Sequence, residues 1–584
     1  MVRIGGGNTM RTIHWLFIWL CLSLSAGSSR GLEIFRPKAG VTEFSEPGQP
    51  FGVEILAPAG LSSNGWSVIL GNDLRAWSNS VVEQVDYGLE VYNRSLVGYR
   101  LQVRTPSEAP PELFSLEVRH AAAGAATNRR AVSLAPVLET NFYLLHYADP
   151  QISGSNALSG SGQNSPYGSL QELSWHAPVF SLINPRFIFN TGDEIDDGDV
   201  DTANRYAAYL NAIAAFGPPL LITRGNNDRG DFGHWKTNVG QAAYSLTMGS
   251  FYLCMNDTRG NEMRAWFTND YAAAFADSNI AYRLIGQHYN SNGDGKNPYF
   301  FAPTAGQYPD LMLVGHNHSF STLQSSPYPV LSSGPACNYG GASLLTFYKS
   351  GSNWLCPGAA SHPAGTRFNA VGDWGAPHVA CAYRVANDGA ACSNTVVITN
   401  SLPFDFWDGR VRFHMRSARY GYVVTGGAVL AQYDYAGGSN TAVLVQVDIR
   451  SNRLTTVSIA RTDSDQDEMP DAWELAWFGD LTTATNTTDY DEDAWLDWQE
   501  YAADTDPTRA ASFLRLEALQ LDAGLQRLAW TGGTGVFQYL EMSANLFSND
   551  WKLVYTNTPP TSVSNSFNVL ESLTNSFYRI RAVR

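Results

Sequence analysis

The middle of the chain repeats one pattern that strongly constrains the fold: a short, wholly apolar run followed within a few residues by a polar motif. The runs are residues 142–145, 187–189, 220–222 and 311–314, and the motifs after them begin at Asp149, Gly192, Gly225 and Gly315. Apolar runs of this length predict strands that are buried on both faces. The stretch 202–216, rich in Ala, Tyr and Leu, predicts a helix between two of them. Alternating strands and helices indicate an α/β sandwich with functional groups at the strand ends.

The chain of 584 residues is too long for one hydrophobic core, so we expect several domains. Before and after the α/β region, short alternating runs separated by turn residues predict antiparallel β domains. The predicted domains, in chain order, are an immunoglobulin-like β-sandwich at 32–138, the α/β sandwich at 139–460, acidic loops at 461–508 and a small β domain at 511–584.

Residues 1–27 are typical of a secretory signal peptide. Arg3 and Arg11 precede an apolar stretch from Ile13 to Leu24, and small residues follow it. The stretch is short for a membrane span, although an N-terminal anchor is the alternative, and we expect no transmembrane domain further along. The predicted location is therefore extracellular or periplasmic. Five of the six cysteines lie after this segment, and their pairing stays open.

The polar motifs supply oxygen and imidazole groups, which are the ligands of hard divalent cations. Each motif alone is common in surface loops, whereas the ordered set is far more specific. The candidate metal ligands are Asp149, Gln151, Asp193, Asn226, His288, His316 and His318.

This order of motifs resembles the calcineurin-like metallophosphoesterase family, whose pattern is D-x-H, G-D-x-x-D, G-N-H-D/E, a lone H and G-H-x-H. The resemblance covers about residues 140–320 and implies two divalent metals, drawn from Mn, Fe, Zn or Mg. It implies one metal on Asp149, Gln151 and His318, the other on Asn226, His288 and His316, and Asp193 bridging both. It also implies that Asp196 and Asp228 orient the ligands. A hydroxide bridging such metals would attack phosphorus in line.

Two positions depart from the family pattern. Gln151 stands where His is usual, and its carbonyl oxygen favours manganese over zinc. Asn227 replaces the His that would protonate the leaving group, and an amide cannot act as an acid. Three interpretations stay open: the substrate has a good leaving group, His234 or His176 takes the role, or the site is slow or inactive.

The substrate is expected to be a phosphorylated small molecule or a nucleotide-type ester. The catalytic candidates are Asp193, Asn227, Asp196 and Asp228, and candidate substrate contacts are Arg224, Arg229 and His234. The formal net charge of −16 argues against binding of duplex nucleic acid through a basic surface.

An acidic segment repeats the ligand spacing of an EF-hand calcium loop, at positions 1, 3, 5, 9 and 12. The residues are Asp463, Asp465, Asp467, Asp471 and Glu474, and then Asp489, Asp491, Asp493, Asp497 and Glu500. Position 6, usually Gly, is Glu468 or Ala494, so we expect the turn to differ. The segment resembles dockerin or thrombospondin type 3 calcium repeats, and the alternative is an acidic linker.

Together these features predict a secreted, metal-dependent hydrolase of phosphate mono- or diesters with a calcium-stabilised joint before its last domain. The alternative function is a calcium-dependent extracellular binding or adhesion protein with a weak or inactive phosphoesterase site. In either case the β domains offer surfaces for contact with a cell surface or matrix.

Overall fold

The structure is a computed structural model that describes most of the chain. The described residues are 31–91, 96–135, 140–152, 169–196, 202–228, 232–258, 264–289, 301, 303–335, 341–372, 375–522, 525–547, 550–570 and 576–584. The predicted signal peptide, Arg229 and Cys337 lie outside these ranges. Within them, no helix combines the length and apolar character needed to cross a membrane. Cys254, Cys356, Cys381 and Cys392 are free thiols.

The first domain is a β-sandwich of eight strands. They are β1 (Glu33–Arg36), β2 (Glu43–Ser45), β3 (Pro50–Leu56), β4 (Trp66–Gly71), β5 (Ala76–Val91), β6 (Leu96–Arg104), β7 (Leu113–His120) and β8 (Gly124–Leu134). The strand order is β1-β3-β6-β5-β4-β7-β8-β2. The long β5 pairs first with β4 and then with β6, so the sheet folds over onto itself. Alternate residues such as Val53, Leu70 and Leu101 fill the shared core.

The second domain contains two six-stranded sheets. Its strands are β9 (Phe142–Tyr147), β10 (Ile188–Asn190), β11 (Leu220–Ile222), β12 (Tyr244–Met248), β13 (Phe251–Asn256), β14 (Tyr282–Gln287), β15 (Leu311–Val314), β16 (Ser321–Gln324), β17 (Val330–Ser332), β18 (Gly341–Ser350), β19 (Asn353–Leu355) and β20 (Arg367–Asn369). The first sheet has the order β11-β10-β9-β18-β19, with β20 beside β18, and the second has the order β12-β13-β14-β15-β17-β16. The predicted apolar runs are thus strands of these two sheets.

Five helices accompany these sheets: α1 (Ser169–Ile183), α2 (Thr202–Ile213), α3 (Phe232–Asn238), α4 (Arg264–Ala276) and α5 (Pro357–Ser361). Aromatic side chains including Phe142, Phe189 and Phe251 fill the space between the sheets. Helices α1 and α2 pack with the outer face of the first sheet, and α4 packs with the outer face of the second. The resulting α/β/β/α layering buries both faces of the parallel strands, which explains their unbroken apolar sequences.

Seven further strands between residues 379 and 461 form two more sheets. They are β21 (Val379–Tyr383), β22 (Ser393–Asn400), β23 (Phe406–Arg416), β24 (Tyr422–Thr425), β25 (Ala428–Tyr435), β26 (Asn440–Ile449) and β27 (Arg453–Arg461). Their orders are β21-β22-β27-β24 and β23-β26-β25. Phe406 and Phe413 share one buried cluster with Phe180 of α1. These sheets are therefore packed onto the helical layer.

Two short helices and a terminal β domain follow. The helices are α6 (Asp471–Trp477) and α7 (Asp497–Ala503), and the strands are β28 (Arg515–Asp522), β29 (Leu525–Thr531), β30 (Phe537–Ser543), β31 (Lys552–Asn557), β32 (Ser564–Leu570) and β33 (Phe577–Val583). They form two three-stranded sheets. The Asp504 carboxylate accepts a hydrogen bond from the Gly535 N–H at 2.7 Å and forms an ion pair with Arg584. These contacts attach the terminal domain to the end of α7.

Candidate metal centre

The polar motifs meet because of how the strands are paired. Strands β9, β10 and β11 are parallel, and so are β14 and β15 in the facing sheet. Their carboxyl ends therefore lie at one edge of the two sheets, where ligands of α/β proteins bind. All seven sequence-predicted ligands follow these strands directly, so they gather at this edge.

The loops that carry the ligands adopt uncommon backbone conformations. Asp149, Gln151, Asp193, His316 and His318 all have positive φ angles, between 46° and 69°. Non-glycine residues rarely occupy this region, and such residues concentrate at functional sites. The two turns after β10 and β11 also pack closely. A Cβ atom on Gly225 would lie 2.1 Å from Oδ1 of Asp193, so only glycine fits there.

One half of the cluster contains Asp149, Gln151 and His318. Nε2 of His318 lies 3.3 Å from Oδ1 of Asp149 and 3.1 Å from Nε2 of Gln151. The Asp149 carboxylate also accepts the backbone N–H of His316 at 3.1 Å. Asp149 and Gln151 are buried, whereas the His318 side chain is 37% exposed. This half therefore opens toward solvent on the histidine side.

The other half is arranged around His288. Its Nε2 atom lies 3.0 Å from Oδ1 of Asn226, and its ring centroid lies 5.2 Å from that of His316. Oδ2 of Asp193 is 3.4 Å from Nε2 of His288 and 3.4 Å from Nε2 of Gln151. Asp193 thus contacts both halves, which is the position required of a bridging ligand.

Three of these residues could hold a divalent metal. Ligand atoms of Asp149, Asp193 and His288 lie within 4.8 Å of one another, and all three residues are buried. Nδ1 of His288 donates to the Thr191 carbonyl at 2.7 Å, which directs the Nε2 lone pair at the cluster. Burial disfavours the charged imidazole, but the Asp193 and Asp149 carboxylates and the Thr191 carbonyl together raise the pKa of His288 to about 9. A bound cation would take the place of that proton.

Asp228 organises the backbone of the site. Its Oδ2 atom accepts the N–H groups of Asp193 and Gly225, each at 2.9 Å, and its Oδ1 atom accepts the Tyr206 hydroxyl at 3.3 Å. Burial, with the nearby Asp193, raises the pKa of Asp228. The orienting role expected of Asp228 has this physical basis. For Asp196, the backbone N–H donates to the Ile152 carbonyl at 3.0 Å and the residue is half-buried.

Asn227 lies beside the bridging position. Its backbone N–H donates to Oδ1 of Asp193 at 2.7 Å, and its side-chain oxygen accepts from Nδ2 of Asn226 at 2.9 Å. The oxygen of the Asn227 amide is thereby occupied, and its NH2 group offers hydrogen-bond donors. Such a group can bind a phosphate oxygen but has no proton to give a leaving group.

The other candidates from the sequence lie in different surroundings. Arg224 is buried and forms a bidentate ion pair with Asp257, at 2.9 and 3.3 Å, so its guanidinium is committed within the protein. His176 is buried on α1 against Phe180, with its Nε2 atom 3.8 Å from the Glu172 carboxylate, and burial lowers its pKa to about 4. His234 is half-buried on α3. Arg229 lies outside the described residues.

Tyr289 and Thr191 were not singled out by the sequence. The Tyr289 ring stands edge-on to His316 with 4.7 Å between ring centroids, and it supports the second half of the cluster. Thr191 contributes its backbone carbonyl to His288 and its hydroxyl to His146, at 3.0 Å. Tyr289 directly follows His288, and Thr191 directly precedes Gly192. This adjacency to the motifs was the sequence signal that could have identified both residues.

The two acidic loops share one conformation. Asp463 and Asp489 each accept two backbone N–H groups of their own loop, and Asp471 and Asp497 accept the N–H groups of Ser464 and Tyr490 at 2.7 and 3.0 Å. Position 6 of each loop has a positive φ angle although neither residue is glycine. Glu468 and Ala494 have φ angles of 80° and 75°, the left-handed conformation that glycine favours.

Several carboxylate oxygens in these loops are buried without a hydrogen-bond partner. They belong to Asp467, Glu474, Asp491, Asp493 and Glu500. Burial, reinforced by neighbouring aspartates, raises the pKa of Glu474 and of Glu500 to about 8. Buried carboxylates are normally paired or coordinate a metal. These loops therefore have both the oxygen ligands and the excess of negative charge that a bound cation would balance.

No protein-family model and no curated protein matches the chain. Solved structures with partial similarity include the purple acid phosphatase PPD1 from yellow lupin (Lupinus luteus) seeds, at 12% identity and TM-score 0.31, covering 52% of this chain and 68% of that one. A conserved uncharacterised protein of Streptococcus pneumoniae, a predicted phosphoesterase, has 10% identity and TM-score 0.19 over 39% and 97%. A putative 5'-nucleotidase of Staphylococcus aureus has 10% identity and TM-score 0.22 over 37% and 53%. The function proposed below rests on the site itself.

Proposed function

We propose that this protein is a metal-dependent phosphoesterase that hydrolyses phosphate mono- or diesters, including nucleotide-type esters. The observation that carries the proposal is the convergence of Asp149, Asp193 and His288, with ligand atoms within 4.8 Å, at the carboxyl edge of two sheets. Three carboxamide or imidazole groups, those of Asn226, His316 and Gln151, border the same cluster. This mixture of oxygen and imidazole donors suits hard and borderline divalent cations.

Asp149, Gln151 and His318 would hold one divalent metal, Asn226, His288 and His316 the other, and Asp193 both, with manganese favoured. When bound, such metals supply Lewis acidity toward phosphate oxygens and lower the pKa of coordinated water. The chain's own part is to fix the ligands through Asp228 and to offer the Asn227 NH2 group to a phosphate oxygen. Because Asn227 cannot protonate a leaving group, substrates with acidic leaving groups should react fastest.

We also propose that the loops at 463–474 and 489–500 bind calcium. The support is their repeated backbone conformation and the buried carboxylate oxygens that lack hydrogen bonds. Calcium there would hold α6 and α7 in place and stiffen the joint to the terminal domain. Secretion is proposed on the strength of residues 1–27 alone.

The direct test is hydrolysis of p-nitrophenyl phosphate and bis-p-nitrophenyl phosphate by the metal-stripped, full-length protein. Manganese is then added back, beside an Asp193→Asn variant. The expected result is turnover that requires manganese and that falls by at least about a hundredfold in the variant, because the residue contacting both halves is neutralised. The better ester distinguishes monoester from diester preference.

A matched control is Asp405→Asn, which removes an exposed carboxylate between β22 and β23. It should leave turnover unchanged. Absence of turnover of either ester in manganese-loaded wild-type protein would contradict the proposal and favour the calcium-dependent binding protein instead.

A further inference from the structure

A large cavity lies where three parts of the molecule meet. Its volume is about 1070 Å³, and it is lined by the first β-sandwich, by the region around α1 and α2, and by the sheets of residues 379–461. Asn184 and Gly217 of its wall precede β10 and β11, so the cavity is at the amino ends of these strands. The metal centre is at their carboxyl ends, and the two places share no residue.

The side chains that line this cavity carry more positive than negative charge. Four arginines line it, Arg129, Arg130, Arg410 and Arg412, against two carboxylates, Asp73 and Glu112. The excess of positive charge contrasts with the formal net charge of −16 of the whole chain. A cluster of guanidinium groups attracts oxyanions locally, whatever the net charge of the protein.

Both carboxylates are already engaged. Arg412 donates to Glu112 at 3.0 Å and to Asp73 at 2.9 and 3.0 Å. Glu112 also accepts Nδ2 of Asn72 at 2.7 Å and the Tyr433 hydroxyl at 2.9 Å. The two acids therefore form ion pairs with Arg412, and no described carboxylate forms an ion pair with the other three arginines.

Arg130 is buried and bonded to neutral groups. Its guanidinium donates to the carbonyls of Phe216 and of Pro218, the latter at 2.5 Å, and its Nε atom is buried with no hydrogen-bond partner. No described carboxylate forms an ion pair with it. Burial lowers the pKa of Arg130 to about 10, which reflects the cost of holding this charge away from water.

Arg410 and Arg129 complete the basic wall. Arg410 donates to the Pro111 carbonyl, and burial lowers its pKa although the carboxylates of Glu112 and Asp408 act against this. Arg129 is exposed at the rim. Neither forms an ion pair with a carboxylate in the described part of the chain. Arg129, Arg130 and Arg410 thus line the cavity beside Arg412, and guanidinium N–H groups are strong donors to anions.

The rest of the wall is largely apolar, with Leu113, Leu182, Phe216 and Leu444 among its residues. Ligand pockets are commonly apolar cavities of up to about 1,000 Å³ with a few convergent polar groups, often between domains. Guanidinium groups recognise phosphate and carboxylate through paired N–H donors. We infer that this cavity binds a small organic oxyanion, with a phosphate or carboxylate group on an apolar body, at a site separate from the metal centre.

The test uses phenylphosphonate and benzoate as probes, because each joins one oxyanion to an apolar ring and neither is an ester. Binding to the metal-stripped, full-length protein is measured by calorimetry and by the melting temperature, at constant ionic strength set with sodium chloride. The variants are Arg410→Gln, Arg129→Gln and Asp193→Asn. Arg453→Gln is the matched control, since it removes an exposed arginine of β27.

At least one probe should bind and raise the melting temperature. Arg410→Gln and Arg129→Gln should each weaken that binding by about tenfold or more, as expected when a charge-assisted hydrogen bond is lost. Asp193→Asn and Arg453→Gln should bind as the wild type does. The probe that binds decides between phosphate and carboxylate.

Three results would overturn the inference: no binding of either probe, unchanged binding in both arginine variants, or loss of binding in Asp193→Asn alone, which would place the anion at the metal centre. Arg129 is exposed, so Arg129→Gln should fold even where Arg410→Gln does not. Melting temperatures without probe separate a folding defect from a binding defect.

Discussion

The carboxylate of Asp228 fixes the backbone of Asp193, accepting its N–H group at 2.9 Å. The same oxygen accepts the N–H of Gly225 at 2.9 Å. One buried acid therefore joins the turn that carries Asp193 to the turn that carries Asn226. The ligand positions depend on a residue that is not among the seven ligands.

Replacing Asp228 with asparagine should weaken metal binding. In Asp228→Asn one oxygen becomes an NH2 group that faces backbone N–H donors, so at least one of these hydrogen bonds is lost. We expect manganese affinity to fall by about 10–100-fold, the range typical of groups that orient metal ligands. Equilibrium dialysis of the metal-stripped protein measures it, with Asp405→Asn as control. Unchanged affinity would show that the turns hold together without this carboxylate.

Replacing Gln151 with histidine should change metal preference. Gln151 would offer its carbonyl oxygen with the amide turned so that Oε1, rather than Nε2, faces Asp193 and His318. The Gln151→His variant would instead offer an imidazole nitrogen, which zinc favours. The ratio of zinc to manganese affinity should rise severalfold in competition titrations, while Gln151→Ala should lower the affinity for both. A ratio that does not move would mean that Gln151 is not a ligand.

Calcium should stabilise the protein through the acidic loops. A cation that binds the folded state at about 100 times its dissociation constant adds about 2.7 kcal/mol to the free energy of unfolding. Calcium should therefore raise the melting temperature of the wild type, and Glu474→Gln or Glu500→Gln should reduce that rise. Glu492→Gln is the matched control, because Glu492 is exposed and lies between the ligand positions. An equal rise in all four proteins would refute the calcium sites.

Acid should destabilise the α/β domain through two buried histidines. Burial lowers the pKa of His146 to about 3 and that of His176 to about 4, below the value of about 6.5 in an unfolded chain. Between these values the unfolded chain binds protons that the folded one excludes. The stabilisation is thus complete above about pH 6.5 and is lost as the pH falls toward about 4.

The loss should approach about 1.4 kcal/mol per pH unit for each histidine. Urea unfolding of the wild type and of His176→Phe, from pH 7 to pH 5, measures the contribution of His176 together with its buried neighbour Glu172, whose carboxylate lies 3.8 Å away, because more distant titrating groups cancel in the difference. The free energy of unfolding should fall more steeply with decreasing pH in the wild type than in the variant. Parallel curves would contradict the assignment of a neutral, buried His176.

Local sequence was sufficient to predict the elements that carry the site. Runs such as 142–145 and 311–314 are wholly apolar and become strands buried on both faces. The helix predicted over 202–216 is present but ends at Ile213, shortly before Gly217 and Pro218, which do not continue a helix.

Contacts between residues far apart in the chain could not be predicted from local sequence. The ion pair of Arg224 with Asp257 joins residues that follow two different strands. The sequence around Arg224 contains no pattern that predicts this partner. The left-handed conformations of Glu468 and Ala494 are likewise set by the surrounding loop, although both residue types disfavour them. Tertiary contacts, which a motif does not contain, decide such cases.

The most direct test of the central claim counts metal ions. Metal-stripped, full-length protein is saturated with calcium to occupy the acidic loops, titrated with manganese, and analysed for bound manganese by mass spectrometry after dialysis. The wild type should retain about two manganese ions per chain, and Asp193→Asn should retain at most about one, because Asp193 contacts both halves of the site. Equal manganese content in the two proteins, or none in the wild type, would contradict a two-metal centre at these residues.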